Sequence, residues 1–311
     1  MASALLRLLA APTILLPAAL LLSPLAGQWE RRAPMGTPRS EVAAAALGGR
    51  LYVVGGFGSA GAVVEEYDPG ADAWRRRADL PAPVHHPAAA AVGGRLYVIG
   101  GYRDGWTPVA DVFAYDPATD RWARRASLLT PRGALAAAVL QGRIYVVGGI
   151  APDGGSRTVE VYDPKQDRWE RRASLPTGRD HLAAVAAAGR LYAIGGRIGG
   201  SYARNLGTVE AYDPKADRWE RRADLPTARS GIAAALWQGR IVVLGGEAPA
   251  GTFAAVEAYD PATDTWVPGP PMPTARHGLG AAVVGPGLYA VAGGTTPGGS
   301  RSDITEVLLP R

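Results

Sequence analysis

The chain has 311 residues, 33 Lys and Arg against 28 Asp and Glu, a formal net charge of +5 and no cysteine. Without cysteine there is no disulfide, no thiolate nucleophile and no thiolate metal site. The arginines recur in pairs after tryptophan at a fixed interval along the chain, which describes charged outer strand edges and excludes a concentrated nucleic-acid footprint.

Residues 1–27 have a composition of their own. Arg7 is followed by an uncharged, Leu- and Ala-rich run from Leu8 to Ala26. This pattern predicts a signal peptide cleaved after Ala26 or Gly27, and hence an exported domain, periplasmic or extracellular. The alternative is an uncleaved membrane anchor with an outward-facing domain. Pro12, Pro17 and Pro24 weigh against a stable spanning helix.

From residue 28 onward one pattern recurs six times. Trp29, Trp74, Trp122, Trp169, Trp219 and Trp266 are spaced by 45–50 residues, and the last five each close the motif Tyr-Asp-Pro-x-x-Asp-x-Trp. Gly-Gly pairs follow apolar runs at 55–56, 100–101, 148–149, 195–196, 245–246 and 293–294. A period near 50 residues with this content predicts a propeller.

Each repeat reads as four strands. Strand a, as in 227–237, is rich in Ala and Gly, as crowding near a propeller axis demands. A two-residue turn containing Gly leads to strand b, typically Arg-Leu-Tyr-Val-Val, whose β-branched and aromatic residues suit burial on both faces. The sixth repeat reads Gly285-Pro286-Gly287 at this turn, one residue longer. Strand c, as in 255–259, runs into the Asp-Pro turn, where Pro presets φ and Asp can accept from the turn's own amides. The Asp pairs of this turn predict hairpins, not calcium loops, because no Gly-bearing loop rich in ligands accompanies them. Strand d carries the Trp.

Six a, six b and six c strands can be counted, and the last c strand, 304–309, has no d strand after it. The unpaired d strand is at the other end, residues 28–33. The prediction is therefore an all-β, six-bladed propeller with four antiparallel strands per blade, its sixth blade closed by the N-terminal strand. The repeats run roughly over 37–78, 82–126, 130–173, 177–223, 227–270 and 274–309, in one domain, 28–311, expected to be a monomer.

Gly-Gly after an apolar strand, Tyr-Asp-Pro-x-x-Asp-x-Trp, and Arg at the start of strand a together resemble the kelch repeat family of β-propellers. The resemblance covers residues 28–309. It implies the fold strongly and the function weakly, since kelch propellers include adaptors, receptors and enzymes.

The strand order places the b–c loops and the starts of the a strands on one face, here called the top. Arg39, Arg132, Arg179, Arg229 and Arg276 begin five a strands, and Val84 replaces them in the second blade. They are expected to ring the channel mouth and to grip carboxylates, as arginines at this position do in a mammalian stress-sensing kelch adaptor that the repeats resemble. The competing expectation is that they are repeat consensus, paired with acids or backbone carbonyls. Just beyond them stand Glu41, His85, His86, Asp180, His181 and His277, so all four histidines of the chain share one zone. Tyr102 and Trp106 in the second b–c loop, and Arg197 and Tyr202 in the fourth, add aromatic and guanidinium contacts. Phe57 and Glu247 immediately follow their Gly-Gly pairs and are expected to face the mouth as well.

No metal or other cofactor is expected. His85 and His86, adjacent in a strand, should point to opposite faces, and the carboxylate–histidine motif of the iron-dependent plant specifier proteins in this family is absent. The favoured function is a non-catalytic binding module whose top face takes a protein, an acidic peptide or an anionic glycan. Nucleic acid is not an expected partner, and a membrane is one only through an uncleaved N-terminal segment. The alternative is an exported carbohydrate mutarotase, resembling the bacterial sialic-acid mutarotases, with Glu41, His86, His181 or Glu247 as acid–base groups.

Overall fold

A computed structural model describes residues 24–58, 60–103 and 105–311. Six four-stranded antiparallel sheets follow one another around an axis, spanning 43–76, 88–124, 136–171, 183–222, 233–268 and 280–309 together with Gln28–Arg31. The four-residue N-terminal strand pairs with Thr305–Leu309 in the register Gln28↔Leu309 to Arg31↔Glu306, which closes blade six. Most of residues 1–27, the predicted signal peptide, lies outside the described residues. Leu25, near its predicted end, is buried, and its N–H donates to Pro268 O at 3.2 Å, so propeller contacts begin before residue 28.

The sixth hairpin differs from the sequence reading. Val284 pairs with Gly287, leaving the two-residue turn Gly285-Pro286 as in every other blade. Ala292 and Gly293 (φ 55° and 92°) occupy the place of the Gly-Gly pair, and Gly294 takes the next position. The extra residue does not exist, and Arg276 lies as far from Ala292 as the other arginines lie from their first Gly.

The Asp-x-Trp motif joins blades. Trp122 Nε1 donates to Ala78 O at 2.8 Å while Asp120 Oδ1 accepts from Ala78 N at 3.0 Å and from Tyr115 O–H at 2.5 Å. The same clasp holds Ala33, Ala126, Ala173 and Ala223, one alanine at the end of each preceding d strand. At the sixth junction Trp29 Nε1 donates to Pro270 O. Pro270 has no N–H, and Gly27 stands where the Asp would be. Donor and acceptor are missing together. The Trp is thus both a wedge between blades and a directional tie.

Candidate functional site

Three successive residues at the start of each a strand build the top of the axis. The first is Arg in five blades. All five guanidinium groups are fully buried. Arg39 reaches outward to Gly55 O at 3.0 Å, Val63 O at 2.6 Å and Glu65 Oε2 at 2.6 Å. Arg179 and Arg276 meet Glu210 and Glu306 at 2.6 Å. Arg132 faces Glu160 at 3.5 Å, and Arg229 pairs with Glu257. Burial pushes each guanidinium below its ordinary value, and the paired Glu offsets only part of that.

The expectation of five arginines open at the mouth is therefore corrected. They neutralise strand-c glutamates and cap carbonyls at strand ends. Blade two bears this out. Where Val84 replaces Arg, the strand-c position of the Glu holds Phe113, so both partners turned apolar together. A buried pair can be exchanged for apolar side chains, but one charge cannot be left alone.

The third residues are Glu41, His86, Ala134, His181, Gly231 and Gly278. Each has left-handed φ, between 50° and 63°. Backbone bonds run from blade to blade through them: His86 N–H to Glu41 O, Ala134 to His86, His181 to Ala134, Gly231 to His181 and Gly278 to Gly231, at 2.8–3.0 Å. Val42 N–H to Gly278 O, at 3.4 Å, closes the circuit. Left-handed backbone costs a non-glycine residue of order 1–2 kcal/mol. Here it breaks strand alternation, so neighbouring side chains no longer point apart. His85 Nδ1 lies 2.7 Å from His86 Nδ1, against the expectation of opposite faces.

Glu41, His86 and His181 thus meet on the axis. His86 Nε2 is 3.1 Å from Glu41 Oε2. His277 Nδ1 lies 3.2 Å from Glu41 Oε1 and 3.5 Å from Glu247 Oε2, at ion-pairing distance. Arg197 joins Glu247 Oε1 at 2.6 Å and His181 Nε2 at 2.7 Å, and Asp180 Oδ1 accepts from His181 Nδ1 at 2.6 Å. Above this floor opens a cavity of about 340 Å³, lined by Glu41, Phe57, His86, Trp106, Arg197, Gly200, Tyr202, Glu247, Gly298 and Gly299.

Family comparisons agree with this architecture. Residues 135–307 match the KLHDC2/KLHL20/DRC7 kelch-repeats domain, and 38–81 and 83–129 match the kelch motif. The chain belongs to the kelch repeat family. The solved structure of YjhT superposes with a TM-score of 0.77 over 90% of this chain and 97% of that one, at 18% identity, a likeness of fold. No curated protein matches.

Within this kelch propeller, six of the expected site residues lie at or beside the cavity: Glu41, His86, Trp106, Arg197 and Tyr202 line it, and His181 lies in its floor. Tyr102 is buried beneath, its ring centroid 5.2 Å from that of Trp106. Trp106 is 59% exposed, and Arg197 stacks over Tyr202 at 5.5 Å. The blade-six loop with Gly298 and Gly299 also lines the cavity, beyond the residues expected from sequence. The sequence signal for it is the Gly-rich run after Gly293.

The floor is electrostatically divided. Burial would push the Glu41 carboxyl up, but the surrounding imidazoles, with His277 at ion-pairing distance, outweigh it and hold the group well below the usual carboxylate range. Burial pushes His86 well below the ordinary imidazole value despite Glu41, and lowers His85 as well. For His277 burial acts downward, but Glu41 and Glu247 raise it overall. Its Nε2 donates to Thr296 O at 3.1 Å, so both ring nitrogens face acceptors and the imidazolium form fits. Within one floor Glu41 is thus biased toward the carboxylate, His86 toward the neutral imidazole and His277 toward the imidazolium, the division of roles that acid–base chemistry uses.

Proposed function

We propose that this kelch propeller is a ligand-binding module whose top-face cavity takes a polyhydroxylated small molecule of saccharide size. The observation that carries this is the cavity of about 340 Å³, with aromatic walls from Phe57, Trp106 and Tyr202 above a polar floor of Glu41, His86, Arg197 and Glu247. That volume falls in the range of small-molecule sites, which combine apolar walls with a few convergent polar groups. Exposed Trp and Tyr rings suit the C–H faces of a sugar, and the floor offers donors and acceptors to its hydroxyls. Pairing of the five inner arginines, and of Arg197 with Glu247 and Asp180, favours a neutral ligand over an acidic peptide or anionic glycan. Export of the domain through its N-terminal segment belongs to the same proposal.

Thermal unfolding of the full chain against neutral sugars, acidic sugars and carboxylate-rich peptides tests it. A ligand at a hundredfold its Kd should add about 2.7 kcal/mol. Neutral sugars should shift the transition and quench Trp fluorescence, and Trp106→Ala should remove both effects. A shift with acidic peptides alone would replace this reading with a peptide-binding one.

The Glu41–His86 contact favours a second reading, sugar mutarotation. A base at the floor would take the anomeric O–H proton while an acid protonates the ring oxygen, breaking the C1–O bond, and reclosure on the other face would give the other anomer. Exchange between anomers measured by NMR should then be accelerated by the protein and lost in Glu41→Gln with sugar binding retained.

A further inference from the structure

We propose that Glu41, His86 and His181 form a binding site for one first-row divalent cation on the propeller axis. One ligand atom from each lies within 4.8 Å of the other two, and all three side chains are buried. They come from equivalent positions of blades one, two and four, so the bonded ring of backbone sets their spacing.

Hydrogen-bond accounting decides which atoms face inward. Asp180, whose Oδ2 accepts from Gly200 N–H at 3.0 Å, accepts from His181 Nδ1 at its Oδ1, so His181 Nε2 carries a lone pair. His85 Nε2 lies 2.8 Å from Gly105 O, which can only accept, so that nitrogen carries the hydrogen. In neutral His85 the Nδ1 is then an acceptor, and it receives from His86 Nδ1. His86 Nε2 is left with a lone pair aimed at the Glu41 carboxylate 3.1 Å away. Two lone pairs at that distance repel unless a cation or a proton lies between them.

Two imidazole Nε2 atoms and a carboxylate, each imidazole oriented by a further acceptor on its other nitrogen, are the features of a divalent metal centre with positions left open. Asp180 and His85 are those orienting groups. Bonds of about 2.0–2.2 Å set tetrahedral ligand atoms about 3.3–3.6 Å apart, so the 3.1 Å between His86 and Glu41 already suits an ion, and His181 must exchange the Arg197 N–H for it. Arg197 keeps Glu247 as a partner, and Glu41 and His86 both line the cavity. The metal site does not depend on the identity of any sugar.

The test is titration of the chelator-treated full chain with Co²⁺ and Zn²⁺, without sugar. One Co²⁺ per chain, visible d–d absorption and a raised Tm are expected. Glu41→Gln and His181→Asn, checked for native unfolding, should abolish the spectrum. Asp180→Asn should weaken binding about 10–100-fold by loosening the orientation of His181. Absence of a Co²⁺ spectrum and of a Tm shift at millimolar cation would overturn the proposal, leaving a shared proton between His86 and Glu41. Unchanged affinity in both Glu41→Gln and His181→Asn would overturn it too, by placing the ion elsewhere.

Discussion

Blade two suggests a direct test of what the inner arginines do: converting blade four to its chemistry. Arg179 is fully buried, with Glu210 Oε2 at 2.6 Å and Ala193 O at 2.9 Å. Glu210 also accepts from Thr177 O–H at 2.9 Å. Glu210→Phe alone strands a buried cation, and removing one partner of such a pair costs about 3–5 kcal/mol. Arg179→Val alone strands the carboxylate and uncaps Ala193 O, a comparable loss. In the double variant no charge remains, and the residual cost is that of the uncapped Ala193 and Thr177 carbonyls and of the Thr177 hydroxyl without Glu210, about 1–3 kcal/mol. At roughly 2–4 °C per kcal/mol for a large domain, each single variant should lower Tm by about 6–20 °C, and the double variant by less than either. Denaturant unfolding of all four proteins yields the coupling. If the two changes add to within about 0.5 kcal/mol, the pair is not a structural unit and the account of the arginines fails.

Deletion of residues 28–34 should remove the strand that closes blade six and abolish cooperative thermal unfolding; an unchanged melt would contradict the register Gln28↔Leu309. In the interblade clasps, the Tyr67 and Tyr212 hydroxyls, with Ala33 and Ala173 N–H, hold Asp72 and Asp217 below the usual carboxylate range, and Ala78 N–H with Tyr115 does so for Asp120. Their folded values lie below the unfolded ones, so this stability is present above the unfolded carboxylate value near 3.9 and is lost as pH falls through the folded one. Urea unfolding between pH 6 and 3 should show that loss, flattened in the Asp120→Ala, Asp217→Ala double variant. Ala134 has a φ of 54° on the axial ring, where blades five and six carry Gly. Ala134→Gly should leave stability unchanged or raise it by up to about 1 kcal/mol, and a clear loss in calorimetry would refute the strain argument.

The repeat made the architecture legible because every element announces itself six times. Trp spacing, the Asp-Pro turn and the missing d strand after residue 309 led to six blades and their closure without any contact being known. Even the arginine pairing left a trace, in the joint change of Val84 and Phe113. The direction in which the arginines leave the backbone was another matter. Strand alternation is a local rule, and the left-handed residues suspend it, so His85 and His86 turn together, while the arginines expected at the mouth turn outward into the blades to meet the strand-c glutamates. Sequence assigns a residue to a blade and to one end of a strand. Packing of neighbouring blades brings Glu41 of blade one against His86 of blade two, and only closure of the ring brings it against His277 of blade six beneath the cavity. Contacts across the axis depend on the angle between blades, a property of packing among all six sheets that no single repeat encodes.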